Sequence, residues 1–137
     1  MTIYDLKPRF QDLLRPASDG LAARGVTPNQ VTLAALILSV VAGFGIVIIP
    51  DAALYALPVV LLVRMALNAI DGMMAREHKM QSVGGMFLNE IGDVVSDLAL
   101  YIPFVLMLEA PLTWTFVVFL VGIPASEMAG ILAHYWI

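Results

Sequence analysis

Cysteine is absent from the 137 residues, which excludes disulfides and every thiolate metal site. Charge is scarce too. Asp, Glu, Lys and Arg make up 13% of the chain against 61% hydrophobic residues, where a soluble domain carries about 25% charged residues. A soluble globular protein is thereby excluded. The first residues mix polar and apolar types and lack the positive-then-apolar order of a cleaved signal peptide. The acidic balance, −4 at pH 7, says little about partners, because several of the acids fall inside apolar segments. A nucleic-acid partner is not expected.

What the chain does have is long apolar runs. Four stretches, Pro28–Ile49, Ala52–Arg76, Ser82–Leu108 and Leu112–Trp136, each reach the roughly 20 residues that cross a bilayer. The expected fold is therefore all-α: a single membrane domain over residues 1–137, with four visible transmembrane helices. Lys7, Arg9, Arg15 and Arg24 precede the first stretch, and Arg76 and Lys79 sit in the second connection. The connections near Asp51 and Glu109–Pro111 contain no Lys or Arg. The positive-inside rule then assigns the N-terminus and the Arg76–Gln81 turn to the cytoplasm.

Residues 1–25 read as a cytoplasmic arm. Leu6, Phe10, Leu13 and Leu14 recur at helical spacing opposite Lys7, Arg9, Asp12 and Arg15. Such a helix suits the lipid interface or the protein's own cytoplasmic face. A break is expected over Pro16–Gly20 and a turn near Gly25. The next helix start is well marked: Thr27 caps, Gln30 reaches back in a capping box, Pro28 takes the first position, and Val26 and Val31 form a staple. In the first span, Ala35, Ser39 and Gly43 form a stripe of small residues suited to close helix approach.

Carboxylates inside a bilayer are costly and point to function. Arg64, Asn68, Asp71 and Ala75 fall on one face of the second span, and Gly85, Asn89 and Asp93 on one face of the third. The short connection between the spans brings the two faces together as an antiparallel pair. Asp71 and Asp93, with the amide oxygens of Asn68 and Asn89, form a plausible oxygen cage for divalent metal bound to a pyrophosphate. Gly72 permits close approach to the backbone, and Arg76 suits phosphate. Arg64 is expected to neutralise an acid such as Glu127. His78 reads as a loop residue and His134 as interfacial.

These residues carry a resemblance. Asn68-x2-Asp71-Gly72-x2-Ala75-Arg76-x8-Gly85-x3-Asn89-x3-Asp93 is similar to the signature of the CDP-alcohol phosphotransferase family, Asp-x2-Asp-Gly-x2-Ala-Arg-x8-Gly-x3-Asp-x3-Asp. The Gly25-Val-Thr-Pro-Asn29 entry to the first span resembles that family as well. The resemblance implies a six-span membrane fold, truncated here after the fourth span, and a homodimer. It implies metal ligands at Asn68, Asp71, Asn89 and Asp93, with Mg2+ or Mn2+ as the ion and Asp93 also as general base. Asp71, Gly72, Ala75, Arg76 and Gly85 take the positions that hold the CDP moiety.

The implied reaction is transfer of a phosphoalcohol group from a CDP-linked lipid, CDP-diacylglycerol foremost, to an acceptor alcohol with release of CMP. It would take place at the cytoplasmic face of a bacterial-type inner membrane. Two positions depart from the signature: Asn68 and Asn89 stand where the family has aspartates, so the cage loses two formal charges unless Glu90 or Asp97 compensates. A family member that binds CDP-lipid or a protein partner without turnover is the alternative.

Overall fold

A computed structural model of the protein describes residues 3–107, with side chains from Pro8 onward, and isolated positions between Leu112 and Ala129. All regular structure among the described residues is helical: α1 (Ile3–Ala23), α2 (Pro28–Ile48), α3 (Pro50–Glu77) and α4 (Val83–Met107). The expected fourth span, Leu112–Trp136, falls outside the continuously described part. Among the described residues, only α2 and α3 combine the length and mean hydropathy of a membrane span. At 25 residues α4 is long enough, about 38 Å at 1.5 Å per residue, but it carries Glu90, Asp93 and Asp97.

The elements form where local chemistry directs them. Thr27 accepts a hydrogen bond from the Gln30 amide while the Gln30 side chain accepts one from the Thr27 amide, at 3.4 and 2.9 Å. This is the expected capping box, followed by Pro28 in the first turn of α2. A single non-helical residue, Ile49, separates α2 from α3, which restarts at Pro50. Both α1 and α3 end in a six-to-one hydrogen bond. The amide of Val26 donates to the Leu21 carbonyl, and that of Met80 to the Ala75 carbonyl. Each such cap needs one left-handed residue. Gly25 supplies the first at φ 78, and Lys79 the second at φ 56.

The N-terminal arm differs from expectation. No break occurs over Pro16–Gly20: α1 runs through both Pro8 and Pro16. A proline within a helix forfeits a backbone bond at a cost of roughly 3 kcal/mol, and packing on both sides of Pro16 offsets it. Leu14 before it, and Leu21 and Ala22 after it, lie against a core cluster of Val31, Ile70 and Met74, and Ser18 between them is fully buried. Leu13 does not join this face, being 75% exposed; Phe10 and Leu14 are half-buried. Thus α1 packs on the protein itself, at the end of α3 that carries the α3–α4 turn. Arg15 pairs with Glu77 and Asp19 with His78, at 3.1 and 3.0 Å.

The central element is α2. Its small-residue stripe, Ala35, Ser39 and Gly43, is buried as expected. A Cβ at Gly43 would collide with the Ala99 carbonyl of α4, so this glycine sets how closely the two backbones approach. Helix α2 packs on both α3 and α4, yet no Cα atoms of α3 and α4 come within 8 Å of each other. The expected antiparallel pair is therefore splayed, with α2 along one side of the gap. Facing outward are Ile37, Val41 and Phe44 of α2, Val59 and Leu62 of α3, and Ile102 and Leu106 of α4, all exposed. Surface this apolar is matched to acyl chains. The chain is an all-helical, multi-pass membrane protein.

The two caps yield opposite mutational outcomes. Gly25→Ala is expected to lower stability by about 1 kcal/mol, and Lys79→Gly to raise it by a similar amount, since only the former adds a Cβ in the left-handed region. Thermal unfolding of the purified chain in detergent checks both signs.

Candidate active site

Helices α3 and α4 face one another across their gap in steps of about one turn. Nearest the α3–α4 turn stand Ala75 and Arg76 on α3 and Gly85 on α4. One turn further along come Asp71 and Asn89, then Asn68 and Asp93, then Arg64 and Asp97. The periodicity of about four residues on both helices keeps each set on the inward faces.

The outer two steps line a cavity of about 250 Å3. Asp71, Gly72, Ala75, Arg76, Gly85 and Asn89 all contribute to its wall, and α2 closes it with Pro28, Asn29 and Thr32. Asp71 is 4% exposed and accepts a hydrogen bond from the Thr32 hydroxyl at 2.7 Å. That hydroxyl also bonds the Pro28 carbonyl, at 3.1 Å. The Arg76 guanidinium lies back over Gly72, where a Cβ would stand 3.3 Å from it. On the opposite wall, a Cβ at Gly85 would stand 2.8 Å from both the Asn29 and Ser82 side-chain oxygens. Both glycines keep the cavity open.

The inner two steps form a polar network outside the cavity wall. Asn68 Nδ2 donates to Asp93 Oδ1 at 2.6 Å. Arg64 Nη2 reaches the same oxygen at 3.2 Å and the Asp93 carbonyl at 3.3 Å, while its Nη1 donates to Asp97 Oδ1 at 2.6 Å. Arg64 therefore neutralises Asp93 and Asp97. The anticipated partner, Glu127, lies outside the described residues. Asp97 is thereby committed to an arginine rather than left to make up for the two asparagines. The other acid considered for that role, Glu90, has Oε2 buried without a hydrogen-bond partner.

The donor set can be tested against a hard divalent ion, which takes oxygen ligands. Asp71 and Asn89 both line the cavity, and Asn89 Oδ1 is buried with no hydrogen-bond partner. That orphaned oxygen fits a cation. Asn68 turns its N–H2 group toward Asp93 and lies outside the cavity wall. Among the described residues no three acidic, His or Cys side chains cluster as a metal site.

The profile of the CDP-alcohol phosphatidyltransferase family matches residues 25–137. The chain belongs to that family. It is also 46% identical over 135 residues to the inner membrane protein YnbA of Escherichia coli (strain K12), covering 98% of this chain and 67% of that protein. No solved structure matches. Members of the family are generally dependent on divalent metal, and the family's chemistry is phosphoalcohol transfer in lipid synthesis.

Within this family member, motif spacing alone left out the contribution of α2. Asn29 read only as part of the helix start that resembles the family's and Thr32 only as part of a span, although polar residues three apart on an otherwise apolar helix were a signal. Thr32→Val is expected to lower stability by about 1.5–3 kcal/mol, because a buried carboxylate loses its hydroxyl donor. Unfolding in detergent measures the loss, and Thr32→Ser, which keeps the hydroxyl, should restore most of it.

Proposed function

We propose that the chain transfers a phosphoalcohol group from a CDP-linked lipid, with CDP-diacylglycerol foremost, to an acceptor alcohol and releases CMP. The observation that carries this reading is the cavity into which Asp71, Gly72, Ala75 and Arg76 face Gly85 and Asn89. A nucleoside diphosphate linkage needs a cation and close backbone approach. Arg76 supplies charge-assisted hydrogen bonds to phosphate, and Gly72 and Gly85 leave room for it. The basic residues of α1 and the α3–α4 turn support a cavity mouth on the cytoplasmic side. The working assembly is a homodimer.

Asp93 is the general base. It takes the proton of the acceptor hydroxyl as the alcohol oxygen bonds to the β-phosphorus; the bond from that phosphorus to the bridging oxygen breaks, and CMP leaves with the electron pair. Arg64 and Asn68 both engage Oδ1 of Asp93, and neither occupies Oδ2, which stays available for the hydroxyl proton. Mg2+ or Mn2+, held by Asp71 and Asn89, would offset the pyrophosphate charge when bound.

A second reading, binding of the CDP-lipid without turnover, draws on the grip that Arg64 and Asn68 have on Asp93. The two diverge in one assay: CMP release from CDP-diacylglycerol in the presence of Mn2+ or Mg2+ and a panel of alcohols. Transfer predicts CMP with at least one acceptor and a fall of about a hundredfold or more in Asp93→Asn. Binding alone predicts cytidine-nucleotide binding that survives Asp93→Asn and no CMP from the native chain. In the transfer reading, Arg76→Ala raises the donor KM by about tenfold or more, since a charged hydrogen bond to phosphate contributes roughly 1.5–3 kcal/mol.

A further inference from the structure

An asparagine in place of a family aspartate is ordinarily read as a weakened metal ligand. The contacts of Asn68 say otherwise. Its amide lies 2.6 Å from Asp93 Oδ1. A carboxylate oxygen only accepts hydrogen bonds, so the group facing it is the N–H2, whichever way the amide is assigned. With aspartate at this position, two carboxylate oxygens would meet at that separation, where both cannot stay ionised without a cation between them. The same Oδ1 accepts from Arg64, whose other terminal nitrogen binds Asp97. Arg64 is 85% buried by its side chain, which is 15% exposed, and it sits at the middle of the 28-residue α3. One resident cation thus spans the gap between α3 and α4, where two facing acids would otherwise demand a bound ion.

We propose that Asn68 is a hydrogen-bond donor that positions Asp93. Together with Arg64 it takes the place of a divalent cation on this side of the site, leaving Asp71 and Asn89 as the chain's ion-binding face. Asparagine at 68 is then required by the arginine-based network, not a remnant of a lost ligand. The inference deepens the reading of Asp93 as base and rests on it for its catalytic consequence. Its test uses unfolding alone, so absence of CMP release would remove the transfer reading and leave this result standing.

The experiment compares thermal unfolding of the purified full chain in detergent, in EDTA and in Mn2+. Asn68→Asp is expected to unfold several degrees below the native chain in EDTA, and Mn2+ is expected to raise it by several degrees more than it raises the native chain. The exchange variant Asn68→Asp with Asp93→Asn swaps donor and acceptor between α3 and α4. It should regain the native unfolding temperature in EDTA, with no extra response to Mn2+. Three outcomes overturn the proposal: native stability of Asn68→Asp in EDTA, an equal Mn2+ shift in both proteins, or an exchange variant no more stable than the single one. If Asn68→Asp does not fold in EDTA, recovery in the exchange variant supports the proposal and its failure to recover overturns it.

Discussion

Arg64 between Asp93 and Asp97 is the constraint around which the helices are arranged. A lone charge at the middle of a membrane helix costs about 2.5–3.5 kcal/mol on insertion scales, and this region holds three. They become tolerable only by meeting each other across the gap, with Asn68 completing the shell of Asp93. Long side chains can bridge a distance that backbones do not close. Helices α3 and α4 are therefore tied together yet kept apart, with α2 packed against both. The space left toward the turn is the cavity.

The rest of the architecture protects that opening. Gly43 lets α2 lie directly against α4 at Ala99, and Thr32 anchors Asp71 from the same helix. Helix α1 braces the turn end of α3 through Leu14, Leu21 and Ala22. Its ion pairs with Glu77 and His78 are exposed, so they contribute little beyond orientation; the apolar contacts hold it. The cavity of about 250 Å3 opens beside Asp71 and Arg76, residues of the family motif. Where the family signature and this chain differ, at Asn68 and Asn89, the structure gives the two asparagines different surroundings. Asn68 faces a carboxylate as a donor, and Asn89, which lines the cavity, keeps a buried oxygen with no hydrogen-bond partner.

Much of this was legible in the residues themselves. The Thr27 capping box, the proline start of α2, the buried stripe of Ala35, Ser39 and Gly43, and the polar faces of α3 and α4 are all local matters. They depend on backbone hydrogen bonds and on the 3.6-residue period, which act over a few residues. The continuity of α1 through Pro16 was not legible, because it depends on a distant cluster at Val31, Ile70 and Met74. Nor was the enclosure of the site by Asn29 and Thr32, whose neighbours Gly85 and Asp71 are distant in the chain.

By itself the sequence determined the helical class, the membrane character and the motif that marks the family, since composition and spacing are properties of the chain alone. The tertiary structure decided which polar groups meet. It gave Arg64 to Asp93 and Asp97, turned Asn68 into a donor, and splayed α3 from α4. Spacing fixes the face a residue occupies on its own helix. The partner it finds is set by how far apart the helices stand, and here that distance follows from their packing on α2.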